Sequence, residues 1–299
     1  MKIRSFIQDN FLIDDAVTGK LVPFILRPVQ NKYYDQLCND YSENMNFTGA
    51  REIILKARKE GFTSLILAIF ATLEILGPDP GRYLEISYKD DATLQHFRRH
   101  RTYITSYMAK QAGFPQEAIT DDNFLRQIFS SYREGSEMVL KHNGASFYVG
   151  TANTKTGERG GTVQGVLFTE DAHFPDTGII SASEIVEGTQ SMLAVGSGLI
   201  FRESTANGFN HFKTAWTQAE LKQISHKPRF FSWRDFYTEA EFETIKQGFS
   251  DKSMIPQEYP SDPQEAFITS GDMFFDKTAL GRYLQFIERR ENVASLQTI

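Results

Sequence analysis

The sequence predicts a three-layer α/β fold, a mostly parallel central sheet between helices, with one antiparallel hairpin and a small accessory subdomain. Three observations carry this reading. From Ile53 to Glu203, short apolar strand-like runs alternate with longer helical patterns. The run Ile53–Lys56 passes through a tight loop containing Gly61 into the apolar stretch Leu65–Phe70, a strand–loop–helix unit. Asn143-Gly144, between Glu137–Lys141 and Ala145–Gly150, is the strongest short-range hairpin signal. In sheets of this kind ligands collect at the carboxyl ends of the strands. The polar clusters of this chain fall at those ends.

A chain of 299 residues that is 40% hydrophobic can bury a sizeable core, as one large domain or a large domain with an appendage. Its 25 Phe and 12 Tyr exclude a disordered protein. The single cysteine, Cys38, excludes an internal disulfide and predicts a reducing compartment. The start, Met1-Lys2-Ile3-Arg4-Ser5, runs on to Asp9, Asp14 and Asp15 without the apolar region of a signal peptide. No apolar run reaches the roughly 18 residues of a membrane span, so a soluble intracellular protein with no membrane partner is expected. A formal net charge of −6 argues against non-specific coating of nucleic acid. A DNA partner would have to be gripped by a local patch. Arg98-Arg99-His100-Arg101 is one candidate, although a solvated helix face is the favoured reading of it.

In order along the chain, residues 1–50 are mixed, and the strand–loop–helix unit follows. Gly77-Pro78-Asp79-Pro80-Gly81 breaks the chain, Tyr83–Tyr88 reads as a strand, and 91–111 as a helix opening after Asp90-Asp91. Beyond the hairpin, Thr162–Phe168 and Leu199–Glu203 are two further short strands. From 212 the texture changes: charged helical patterns (Phe212–Ile224, Glu239–Gly248) surround the aromatic, strand-like Arg229–Trp233. The proline-rich connector Pro256–Pro263 follows, then one more helix over 276–290. This texture predicts a core over 1–211, a small lid subdomain over 212–258 and a linker over 259–299.

Three polar clusters carry candidate chemistry. The first is Lys56-Ala57-Arg58-Lys59-Glu60-Gly61-Phe62-Thr63-Ser64. It has the layout of a phosphate-binding loop, in which backbone N–H groups and a helix N-terminus face the anion. Gly61 lets the backbone approach phosphates, and Thr63 or Ser64 supplies a hydroxyl for magnesium. Phe62 stands where that motif has its lysine, so the cation would come from Lys56, with Arg58 as a second phosphate contact. An ordinary strand–turn–helix with basic surface residues is the alternative. The second cluster, Thr169-Glu170-Asp171-Ala172-His173, ends an apolar run with paired carboxylates. Such a pair can divide magnesium binding and water activation between its members, or simply favour a helix start. His173 has no second histidine at ligand spacing and is read as structural. The third, Glu203-Ser204-Thr205-Ala206-Asn207-Gly208, offers hydroxyl and amide groups to a γ-phosphate, or is a polar turn.

In this order and spacing the three clusters, with Arg159-Gly160-Gly161-Thr162-Val163-Gln164-Gly165 and Pro260…Glu265-Ala266-Phe267…Ser270-Gly271…Phe274, resemble the ATPase half of bacteriophage large terminases, the genome-packaging motors of tailed phages. The resemblance covers nearly the whole chain. It implies a P-loop NTPase fold of the additional-strand (ASCE) type and an ATP- and Mg2+-dependent hydrolase that moves double-stranded DNA. The implied partners are the portal and procapsid, the small terminase subunit, and other copies in a ring on the portal, with a monomer in isolation as the alternative. The implied location is the cytoplasm of the infected bacterial host.

By the same resemblance Lys56 is the phosphate-loop lysine placed early, and Arg58 the loop arginine that contacts phosphates. Phe24–Gln30 is similar to the adenine-binding motif, with Gln30 reading the base. Arg159 is similar to an arginine finger acting on a neighbouring subunit's ATP. Ser204–Asn207 are similar to the coupling motif, with Thr205 and Asn207 on the nucleotide side. Two departures stand out. Where many members have Asp-Glu, this chain has Thr169-Glu170-Asp171. One alignment makes Glu170 the magnesium-side group and Asp171 the water-positioning one; the favoured alignment makes Glu170 catalytic, and Thr63 with Glu170 then faces the metal. The residues after Gly271 are also too few for the family's nuclease, so a fragment without nuclease activity is expected. A DNA-repair helicase or translocase, and a catalytically silent nucleotide-binding scaffold, are the competing readings. Strand separation would mark the first, and tight ATP binding without phosphate release the second.

Overall fold

A computed structural model describes residues 2–42, 46–77, 80–152, 161–176 and 181–268. Arg159, the helix expected over 276–290 and most of the expected linker 259–299 lie outside the described residues. The chain opens with α1 (Ile3–Asn10), a ribbon of β1 (Leu12–Asp14) and β2 (Leu21–Pro23), and α2 (Pro28–Asp40). There follow β3 (Arg51–Lys56), α3 (Phe62–Leu76), β4 (Arg82–Ser87), α4 (Asp90–Ala112), α5 (Asp122–Ile128), β5 (Phe129–Arg133), β6 (Glu137–Leu140) and β7 (Ser146–Thr151). The remainder runs β8 (Gly165–Thr169), α6 (Ala182–Gln190), β9 (Leu199–Ser204), α7 (His211–Glu220), β10 (Lys227–Phe231), α8 (Glu239–Gln247), α9 (Ile255–Glu258) and α10 (Pro263–Ile268).

Among the described residues, eight strands form the central sheet in the order β10-β3-β9-β8-β4-β7-β6-β5. From β10 to β7 every pairing is parallel, and β6 and β5 extend the sheet antiparallel. Strand β9 lies between β3 and β8, which is the additional-strand arrangement. The middle strands are buried on both faces, as their near-continuous apolar runs require. Alternate side chains divide between the layers. Ile54, Leu167 and Phe201 pack with residues of α1 to α5, whereas Ile53 and Leu55 pack with Phe212 and Trp216 of α7 and Phe267 of α10. Val166, Phe168 and Ile200 pack with Ala182 and Val186 of α6. This is a three-layer α/β/α sandwich.

The helix expected over 91–111 forms over Asp90–Ala112, with Asp90 and Asp91 in its first turn and Gly113 ending it at φ 70°. The hairpin around Asn143-Gly144 forms with a connection longer than two residues, and Gly144 at φ 75° takes the left-handed position. The aromatic segment at 229–233 contributes to the main sheet: β10 is its edge strand, and Phe231 pairs with Lys56. A separate small cluster forms further on, where Trp233, Phe242, Ile255 and Tyr259 gather on Ala57 of the loop after β3. The segment 212–258 therefore divides between the sheet and this cluster.

The basic tetrad of α4 does not present one face. His100 is fully buried, stacks on Phe147 and bonds Glu74 at 2.9 Å, while Arg98 and Arg101 both pair with Glu134. Among the described residues no helix is long and apolar enough to cross a membrane.

Candidate active site

The loop between β3 and α3 turns on two left-handed residues, Lys59 (φ 63°) and Gly61 (φ 83°). Turns that change hand in this way aim backbone N–H groups into an anion-binding concavity. Gly61, at the N-cap of α3, has no side chain to cap the helix, so the first-turn N–H groups face whatever the loop holds. The left-handed φ favours glycine at this position, and a Cβ there would stand 2.8 Å from Nε2 of Gln30 and push that side chain aside. Gln30 is buried and clamps the loop: its Nε2 donates to the Gly61 carbonyl at 2.7 Å, and its Oε1 accepts from the Arg27 N–H at 2.9 Å. Phe62 is an anchor, packed at ring-centroid distances of 5.3 Å from Tyr33 and 4.6 Å from Phe231.

Lys56, the last residue of β3, is the centre of the site. Its Nζ lies 3.1 Å from Oε1 of Glu170 and 3.1 Å from Oε2 of Glu203. Burial opposes its charge, but the two carboxylates outweigh burial and hold the ammonium protonated well above its ordinary value. Glu203 is fully buried at the end of β9. Its Oε1 accepts from Thr63 Oγ1 at 2.6 Å and from Thr169 Oγ1 at 2.5 Å. The strand register makes this possible, since Glu203 lies opposite Thr169 on one side and Ile54 on the other.

Glu170 leaves β8 in a left-handed conformation, φ 52°. Its Oε2 accepts from the Thr205 N–H at 3.3 Å and lies 3.8 Å from His173 Nε2. Burial would raise the Glu170 pKa, yet Lys56 and His173 bring it down to about 2, so it is a carboxylate at any physiological pH. Burial also lowers His173, which hydrogen-bonds Thr205 Oγ1 at 3.0 Å.

The remaining expected site residues occupy other places. Asp171 is fully buried and faces the far side of the same turn, bonded to Arg202 Nε at 2.6 Å and His211 Nε2 at 2.8 Å. Arg58 is half-exposed and pairs with Glu258, and its backbone N–H donates to the Glu258 carbonyl at 3.0 Å. Asn207 donates to the Ala172 carbonyl at 3.1 Å and so braces the acidic turn. Of the two loop hydroxyl residues, Thr63 reaches the carboxylates; Ser64 is buried, and its carbonyl accepts from Tyr103. The structure thus gathers Lys56, Thr63, Glu170 and Thr205 and adds Glu203. The signal for Glu203 in the sequence was Arg202-Glu203, a charged pair closing an apolar strand, since buried charges demand partners.

Known structures share this architecture. The large terminase ATPase domain of Thermus phage P74-26 matches with a TM-score of 0.51 at 15% identity, covering 79% of this chain and 98% of that one. The large terminase of bacteriophage HK97 matches with a TM-score of 0.57 at 15% identity, covering 90% of this chain and 50% of that one. The chain has the large terminase ATPase fold. No protein-family model matches the sequence, and no curated protein matches it. The chain spans half the length of the HK97 terminase.

Within this terminase fold, the donor set suits magnesium. That ion takes hard oxygen ligands, one or two carboxylates together with substrate phosphates, and no all-protein cage. Thr63 Oγ1 and the carboxylates of Glu170 and Glu203 are hard oxygens on one side of the loop, and the two carboxylates face a single ammonium, that of Lys56. Among the described residues there is no group of three or more His, Cys, Asp and Glu able to hold a metal without such phosphates.

Proposed function

We propose that this chain is the ATPase motor domain of a viral large terminase, hydrolysing ATP to drive double-stranded DNA into a procapsid. The observation that carries the proposal is Lys56 held between Glu170 and Glu203 beside Thr63, at the carboxyl ends of three adjacent parallel strands. A phosphoryl-transfer site needs an N–H cradle, a cation, a hydroxyl, a magnesium-side carboxylate and a group for water. The Lys59–Gly61 turn and the N-terminus of α3 supply the cradle, Lys56 the cation, and Thr63 the hydroxyl. Magnesium, when bound, supplies charge neutralisation at the phosphates, and Thr63 with the carboxylates around Lys56 would hold it. Glu170, ionised and part-exposed, orients or deprotonates the attacking water. Thr205, bonded to Glu170, relays the state of the nucleotide to β9 and α7. Gln30 ties the base side of the site to the loop.

Arg159 serves a neighbouring copy's ATP in a homo-oligomeric ring on the portal, with the small subunit delivering DNA in the host cytoplasm. The test is steady-state ATP hydrolysis over a range of protein concentrations. Wild type is compared with Lys56→Ala, Glu170→Gln and Arg159→Ala, each read per folded molecule. Turnover is expected to rise with concentration in wild type, to lose that rise in Arg159→Ala, and to vanish in the other two. Unchanged turnover in Lys56→Ala overturns the reading.

A further inference from the structure

Strand β8 ends at Thr169, directly before Glu170, so the position just before the catalytic carboxylate carries a hydroxyl. A hydroxyl there is a weak partner for a divalent cation compared with a carboxylate. Thr169 spends its hydroxyl on a neighbour: Oγ1 donates to Glu203 Oε1 at 2.5 Å. The same oxygen accepts from Thr63 Oγ1 at 2.6 Å, the hydroxyl that opens α3. One fully buried carboxylate on β9 therefore links the phosphate-loop hydroxyl to the end of the acidic strand. Register explains the reach, because Thr169 and Glu203 are directly opposed in adjacent parallel strands. The second oxygen, Oε2, is buried and ion-paired with Lys56 Nζ at 3.1 Å. With Glu170 and Glu203 both facing one ammonium, the cluster carries a net negative charge that a divalent cation would neutralise.

Resting on the ATPase reading, we propose that Glu203 is the magnesium-side carboxylate of this site, supplied from β9 because β8 has threonine at the usual position. Thr169 is then a positioning residue that fixes the Glu203 rotamer. Glu170 is left free to act on water. The two carboxylates divide the labour across two strands, where adjacent residues of one strand usually do so.

The probe is Mn2+, followed by electron paramagnetic resonance with ADP present, and ADP affinity is measured separately in EDTA. Glu203→Gln keeps the size and the acceptor oxygen, and should weaken Mn2+ binding by about 10–100-fold, the range for lost metal-site contacts. Its metal-free ADP affinity should not fall, because loss of this carboxylate leaves Lys56 freer to meet phosphate. Glu170→Gln should lose turnover with a much smaller loss of Mn2+. A double variant, Thr169→Asp with Glu203→Gln, keeps the charge around Lys56 and returns the carboxylate to β8. It should recover most of the Mn2+ affinity, and it remains informative if the single variant folds poorly. Wild-type Mn2+ affinity in folded Glu203→Gln, or no recovery in the double variant, overturns the assignment while leaving the ATPase reading intact. Failure of wild type to bind ADP with or without metal overturns both.

Discussion

Glu170 and Asp171 are adjacent in the chain, yet their carboxylates enter separate networks. The left-handed φ of 52° at Glu170 turns the chain between them. Glu170 faces Lys56 and Thr205, whereas Asp171 is locked between Arg202 and His211. Sequence adjacency suggested a shared task, and the backbone conformation separates the two.

Asp171→Asn is accordingly expected to act on stability. Asp171 is fully buried, and Arg202 is nearly so, with its Nε given to this partner. Removing one member of such a pair costs about 3–5 kcal/mol. Chemical denaturation should show that loss, while ATP turnover per folded molecule should persist. Full stability with abolished turnover would instead place Asp171 in the chemistry.

A second expectation concerns pH. Glu60, in the loop between β3 and α3, is fully buried, and among the described residues neither carboxylate oxygen has a hydrogen-bond partner. Burial pushes its pKa well above the ordinary 4.5, with Lys56 opposing only in part. The folded protein then holds a proton that the unfolded chain has released, so stability falls as pH rises from 4.5 toward the raised value. Glu60→Gln should raise the melting temperature near neutral pH and remove that slope. Glu170 has the opposite sign: its contribution is present above its ordinary 4.5 and is lost as pH falls toward about 2. A thermal-unfolding series across pH for wild type and Glu60→Gln separates the two.

Third, the Arg58–Glu258 pair joins the loop between β3 and α3 to α9, with Tyr237 donating to the Arg58 carbonyl at 3.2 Å. An arginine engaged by a carboxylate is a weaker phosphate contact than a free one. Glu258→Gln should therefore tighten ATP binding, and Arg58→Ala should weaken it. Because Arg58 is half-exposed, its own pairing contributes no more than about 1 kcal/mol to stability. Nucleotide titration of both variants checks the signs, and equal affinities would deny Arg58 any phosphate role.

What was legible in the sequence was local. The strand, loop and helix around Gly61 lie within one short stretch, and apolar patterning and a glycine specify them together. The clusters at 169–173 and 203–208 were visible because each closes an apolar strand. The role of Glu203 was hidden, since it depends on β9 lying between β3 and β8 in a fixed register. No feature near Glu203 encodes that neighbour. β10 was hidden likewise: its aromatic texture marks a strand, but pairing with β3 joins segments far apart in the chain. The pairing of Arg98 and Arg101 was hidden for a related reason, because their partner Glu134 comes from the turn between β5 and β6.

The ring of Phe62 gives a warning to anyone redesigning this loop. Comparison with the common phosphate-loop motif would recommend Phe62→Lys as a repair. The position, however, lies wholly inside an aromatic nest of Tyr33 and Phe231, and a lysine there would strand an ammonium in hydrocarbon. The substitution should yield insoluble or molten protein with no gain in ATP affinity, as solubility and near-ultraviolet circular dichroism would report. Here the familiar consensus is the damaging change, and the apparent defect is the part that fits.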